Sequence, residues 1–209
     1  MGFQHRLIMF VVAAMLAVAF PFAAWANTHD TLLADVVSLK LGMEGYVIGE
    51  QLNAAQKKIA LQHPAEGAYE GTYKIVDNGL YVVVDKATDR VLALYKRNKE
   101  ADKNQLKEMV VELMGLFGAP TTMAHDKILY WAFNRHGAVS EEDFNRAKEA
   151  MQTPELGIIA TVKLNSEMEI TPDPVKEKSA AEKSPPATGA IYFILTSDPL
   201  VKEFMAGLQ

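Results

Sequence analysis

The stretch "TYKIVDNGLYVVVDKATDRVLALYKR", Thr72 to Arg97, restricts the fold more than any other part of the chain. Three β-rich runs, near Thr72–Val76, Leu80–Asp85 and Arg90–Lys96, are separated by two compact polar turns. Asp77-Asn78-Gly79 is hairpin chemistry, because Asn and Gly accept the positive φ that a tight β-turn demands. Asp85 to Asp89 forms the second turn, with short side chains able to bond the local backbone. Turns this short allow only antiparallel neighbours, so the run predicts a β-meander.

Around it the hydrophobic period changes to that of helices. "TLLADVVSLKLG" suits a short helix before Gly42. A second helix is expected from Ile48 to Gln62, with Ile48, Leu52, Ala55 and Ile59 as its apolar stripe and Pro64 and Gly67 as its stop. Asp102 to Phe117 carries the strongest helical pattern, with Leu106, Met109, Val110, Leu113, Met114 and Phe117 on one side and Gly118 and Pro120 at its end. Ile128–Phe133 reads as a strand. Ser140 caps a further helix with acids in its first turn and Phe144, Ala147 and Met151 on one side. Leu156–Ile170 and Ala190–Leu195 read as strands, and Ser197-Asp198-Pro199 opens a last amphipathic helix. Helices and antiparallel strands mix without a βαβ rhythm, so the expected class is α+β: a meander plus later strands, packed by amphipathic helices.

Two segments fall outside that packing. Arg6 precedes an apolar run from Leu7 to about Phe20; Pro21 breaks the run, and Ala24-Trp25-Ala26 supplies a small-x-small cleavage pattern. The reading is a signal peptide over 1–26, cleaved after Ala26, with a retained anchor as its rival because the run is just long enough to span a bilayer. The destination is the periplasm or the exterior, with no stable membrane anchor after cleavage. The remainder, 27–209, is one α+β domain. Within it "TPDPVKEKSAAEKSPPATG", 171–189, is polar and proline-rich and is expected to be a disordered loop between two strands of one sheet.

Composition removes several functions. There is no cysteine, so disulfides, thiolate nucleophiles and thiolate metal sites are excluded together. The chain has 21 Lys and Arg against 26 Asp and Glu, and Arg6 leaves with the leader; no basic run stands out for phosphates, so no nucleic-acid partner is expected. The histidines outside the leader, His29, His63, His125 and His136, lack the i, i+4 spacing of a helical zinc motif. His125 and His136 flank the expected strand, and eleven extended residues span roughly 35 Å. Neither a metal nor an organic cofactor is expected. There is no G-x-S-x-G elbow and no glycine-rich phosphate loop. Ser140 and Ser197 serve as helix caps; Glu141-Glu142-Asp143 suits a helix start; Asp85 and Asp89 are better turn residues than cation ligands. No catalytic residue is singled out, and the reading favours a non-enzyme.

The remaining signal is apolar. In "ILYWAF" Ile128, Tyr130 and Ala132 alternate with Leu129, Trp131 and Phe133, so both faces are hydrophobic. The last strand repeats this, with Tyr192 and Ile194 opposite Ile191, Phe193 and Leu195. Either helices cover both faces, or one face is a groove for a partner. Tyr81, Tyr95, Tyr130, Trp131 and Tyr192 are the candidate binding residues.

"AAQKKIAL…GTYKIVDNGLYVVVDKATDRVLALY", Ala54 to Tyr95, resembles the PepSY-type module, in which a helix precedes a small antiparallel sheet with a turn of the form Asp-x-x-Thr-Gly-x-Val. Asp85, Thr88 and Val91 match, and Asp89 stands at the glycine. "LKLGM" (Leu39–Met43) and "LFGAP" (Leu116–Pro120) before an aromatic strand resemble the SmpA/OmlA lipoproteins and the β-lactamase-inhibitor-like fold, without a lipobox cysteine. Both resemblances imply binding or scaffolding in the cell envelope. The expected function is a periplasmic binding or assembly module that takes a protein or peptide on an aromatic sheet face. A binder of a small apolar ligand, and a hydrolase without a recognisable motif, are the alternatives; a homo-oligomer stays open.

Overall fold

A computed structural model describes residues 23–170 and 188–207. The apolar run of the leader and positions 171–187 of the polar segment lie outside the described residues. The chain divides into a unit up to Thr31 and a unit from Leu32 to Gln209, and every strand among the described residues belongs to the second. Helix α1 (Ala23–Ser38) begins in the first unit, and its backbone takes in Ala24-Trp25-Ala26.

The fold is α+β. A two-stranded hairpin, β1 (Gly42–Met43) and β2 (Tyr46–Val47), precedes a nine-stranded sheet. The sheet contains β3 (Pro64–Ala65), β4 (Thr72–Asp77), β5 (Leu80–Asp85), β6 (Val91–Ala101), β7 (Thr122–Ala124), β8 (Ile128–Asn134), β9 (Gly137–Ala138), β10 (Ala160–Ser166) and β11 (Gly189–Thr196). All its pairings are antiparallel, in the order β3-β4-β5-β6-β11-β10-β8-β7, with β9 also on β8. The helices are α2 (Ala54–Gln62), α3 (Lys103–Phe117), α4 (Glu141–Glu149) and α5 (Asp198–Ala206).

The meander forms as its turns dictate. Asn78 and Gly79 both take positive φ, 47° and 81°, as a two-residue hairpin of this hand requires. At the second turn the Asp85 carboxylate accepts from the Ala87 amide at 2.9 Å and from the Thr88 hydroxyl. The third strand is longer than the pattern suggests: β6 continues to Ala101 because it pairs with β11 beyond the reach of β5.

The second helix corrects its expected start. It begins at Ala54, where Asn53 accepts from the amides of Ala55 and Gln56 and the Gln56 side chain accepts from the Asn53 amide. This reciprocal cap sets the boundary. Ile48 and Leu52 are buried, but in the segment before the helix, where Gly49 has φ +82°; Ala55 is exposed and Ile59 half-buried. α3 matches its pattern, capped by the same kind of box at Asp102 and Gln105, although Met114 is exposed. α4 starts behind Ser140 but stops at Glu149, so Met151 lies in solvent and not on the helix's apolar side. The strand expected over Leu156–Ile170 is confined to Ala160–Ser166, because Gly157 turns left-handed after a short 3₁₀ helix, Thr153–Leu156.

The core lies on one side of the sheet. Ile75, Val82, Leu94, Leu195, Phe193, Val162, Leu164 and Trp131 are buried there with Leu106, Leu113 and Phe117 of α3, Val36 of α1, and Met43, Tyr46 and Ile48 of the hairpin segment. Phe117 sits among Trp131, Phe133 and Phe193 at ring separations of 6.3–6.5 Å, a spacing typical of interlocked aromatics.

The sheet edges are short. At one edge, β3 pairs with β4 and the Val76 amide donates to the His63 carbonyl. At the other, β7 and β9 share the outer edge of β8. Between them Thr121 Oγ1 accepts from the Ala132 amide at 2.9 Å and donates to the Val139 carbonyl at 2.8 Å, while the Val139 amide donates to the Ala132 carbonyl. Few ladder groups are left for an added strand.

Candidate functional site

Strand pairing decides which candidates share a face, since successive side chains point to opposite sides of a sheet. Tyr81 pairs with Tyr95, Tyr95 with Ile194, Ile194 with Lys163, and Lys163 with Tyr130. The five residues form one transverse row on the side away from the core. At about 4.8 Å per strand, the row runs roughly 19 Å from Tyr81 to Tyr130. Tyr192, paired with Arg97 and Asn165, lies in a neighbouring row of the same face.

The rings touch. Tyr81 and Tyr95 stack at 4.7 Å with planes 5° apart, and Tyr95 meets Tyr192 at 6.0 Å. Tyr130 leans on Phe144 of α4 at 6.0 Å. Lys74 Nζ lies 5.7 Å from the centre of the Tyr81 ring, and Lys163 Nζ 5.6 Å from that of Tyr130, within cation–π range. All four tyrosines are half-buried. Burial, helped by the charge of Asp198, raises the Tyr130 phenol above its ordinary pKa. Burial, then the neighbouring Tyr95 and Tyr69, does the same for Tyr192 against the opposing influence of Arg97.

Trp131 is not part of this face. It is fully buried, points into the core, and donates from Nε1 to the Gly118 carbonyl at 2.9 Å. Being adjacent to Tyr130 in a strand, it has to point the other way. Lys74, Arg97 and Lys163 escaped notice in the sequence. The alternation of the meander reveals the first two, and Lys163 follows once β10 is in register. Tyr69 is 76 % exposed; it reaches the neighbourhood of Tyr192 through a loop that no periodicity describes.

The other constellations stay apart or are occupied. His125 and His136 lie at opposite ends of β8. Among the described residues no group of three or more His, Asp or Glu side chains is arranged to hold a metal ion. Asp89 receives the Tyr73 hydroxyl at 2.8 Å and the Lys57 ammonium at 2.6 Å. These two hydrogen bonds, that of Lys57 foremost, hold its carboxyl below the usual carboxylate range. A cleft of about 800 Å³ opens between the β8–β9 turn, α4 and the 3₁₀ helix, with Arg135, His136, Arg146 and Glu155 on its walls. Arg146 is paired there with Glu142 and Asp143.

The Asp89 contacts give a pH test. A carboxyl that ionises lower in the folded than in the unfolded chain stabilises fully above about pH 5 and loses that contribution as pH falls through its folded value. Asn at this position tolerates the same left-handed backbone (φ 56°). D89N should therefore cost up to about 1 kcal/mol near neutral pH, since the pair is partly exposed. The gap to the parent should close on acidification. Urea titrations from neutral to acidic pH check this; a constant gap, or one that widens in acid, contradicts the ionic account.

Among the described residues, then, the one place where several sequence-selected side chains converge is the outward face of the sheet. Comparison with protein family models, with curated proteins and with solved structures finds no match to this chain.

Proposed function

We propose that the chain is an exported, periplasmic, non-enzymatic binding or assembly module that takes a protein or peptide on the outward sheet face. One observation carries the reading: Tyr81, Tyr95, Tyr192 and Tyr130 share the face opposite the core and remain half-exposed. Rigid amphipathic rings supply contact area at low entropic cost, which suits a recognition surface. The helix-then-meander order over Ala54–Tyr95 is also what the PepSY resemblance implies. Export rests on the leader pattern alone, Leu7–Ala26.

A photoreactive phenylalanine derivative in place of Tyr95, activated in cells, tests the docking role. A discrete adduct is expected from Tyr95 and not from Val111 on the exposed side of α3, and Y81A or Y192A should abolish it. Absence of an adduct, or equal adducts from both positions, overturns the proposal.

A further inference from the structure

Resting on the docking role just proposed, we infer that the occupant of the tyrosine face is an acidic, extended peptide. It crosses the strands with an apolar or proline-rich middle and a carboxylate near each end. The first argument is charge. The chain as a whole is acidic, at −5, yet the outward positions of β4, β6 and β10 carry Lys74, Arg97, Lys99 and Lys163. None of the four forms an ion pair with a described residue. Glu100 reaches this side only at the bulge near the end of β6, and by strand alternation Asp85 is the one other acid on this side of β4, β5, β6, β8, β10 and β11. It sits at the far end, with both oxygens engaged in its own turn. Cations left over an otherwise acidic molecule select an anionic partner.

The second argument is spacing. Lys74 on β4 and Lys163 on β10 are four strand intervals apart, roughly 19 Å. Between them lie Tyr81, Tyr95 and Ile194 without a charge. An extended chain covers that distance in about six residues. Carboxylates set that far apart can meet both lysines while the middle lies on the stacked rings. The third argument is the state of the edges. With β4 and β8 already flanked, a peptide has little ladder to join. It is held by side chains, which makes its end charges decisive. A nucleic acid would bring a charge at every residue against four cations, inside a net negative field.

The test uses the purified chain and fluorescein-labelled octapeptides with one proline–leucine core and glutamate, glutamine or lysine at both ends. The glutamate peptide should raise the anisotropy with a Kd of about 10⁻⁵–10⁻⁴ M. The glutamine peptide should bind roughly tenfold more weakly, and the lysine peptide not measurably. In the double variant K74E/K163E the order should invert, a result that mere damage to the sheet does not produce. Equal binding of glutamate and glutamine peptides overturns the acidic occupant; if the Tyr95 adduct still forms, docking itself stands. No binding of the glutamate peptide also overturns it, including the case where oligothymidylate or phosphatidylglycerol vesicles bind instead. Loss of the Tyr95 adduct besides removes the docking role as well.

Discussion

Trp131→Ala should destabilise the domain by about 3–5 kcal/mol, the range for emptying a large aromatic site. Trp131 is fully buried, its ring meets Phe117 at 6.4 Å, and its indole nitrogen donates to the Gly118 carbonyl at the end of α3. Truncation opens a cavity where α3, β8 and β11 meet and leaves a carbonyl at a helix end without its donor. Trp131→Phe refills most of the volume but not the hydrogen bond, so it should cost less than Trp131→Ala. Urea denaturation followed by circular dichroism reads both. If the alanine variant stays within about 1 kcal/mol of the parent, below the range for a buried aromatic, Trp131 is not the keystone of the core.

The second large effect is expected at a glycine. A Cβ on Gly42 would stand 2.2 Å from the Tyr46 carbonyl oxygen and 3.0 Å from Val47 Cγ2. The first neighbour is backbone and cannot rotate away. Gly42→Ala must therefore part β1 from β2. That hairpin seats Met43, Tyr46 and Ile48, all buried, and Tyr46 also donates to Asp77 at 2.9 Å. A loss of about 3 kcal/mol is expected. Gly45→Ala, in the turn of the same hairpin, is the control. Nothing lies within 4 Å of its would-be Cβ, and only its φ of +83° resists a side chain, a cost of about 1 kcal/mol. Should Gly45→Ala prove the more damaging of the two, the close approach at Gly42 is not what holds the hairpin.

How far the molecule was legible in its sequence depends on the length of each signal. Long periodic runs and strong turns were readable: β5 falls on Leu80–Asp85 as expected, and α3 ends at Gly118. The two-residue strands β1 and β2 are too short for any period to register. Periodicity alone misplaces the start of α2, because Ile48 and Leu52 keep helical spacing while being buried in a loop; the deciding signal is Asn53 followed three residues later by Gln56. The candidate site mixed Tyr130 with Trp131, though a strand cannot turn both to one side. Knowing which side holds the core required the pairing of β8 with β10, a contact between residues far apart in sequence. The grouping of Tyr81, Tyr95 and Tyr192 likewise depends on β11 lying beside β6.

That placement of β11 bears on how the domain comes into being. Of the described strands, the last in sequence is the one that joins the meander on β6 to the later set on β10, β8 and β7. During synthesis the earlier strands have no common partner, and the full sheet waits for residues beyond Gly189. Such long-range closure slows folding. Under the proposed export, late closure is an asset: translocation can begin while the barrier to a finished sheet still stands.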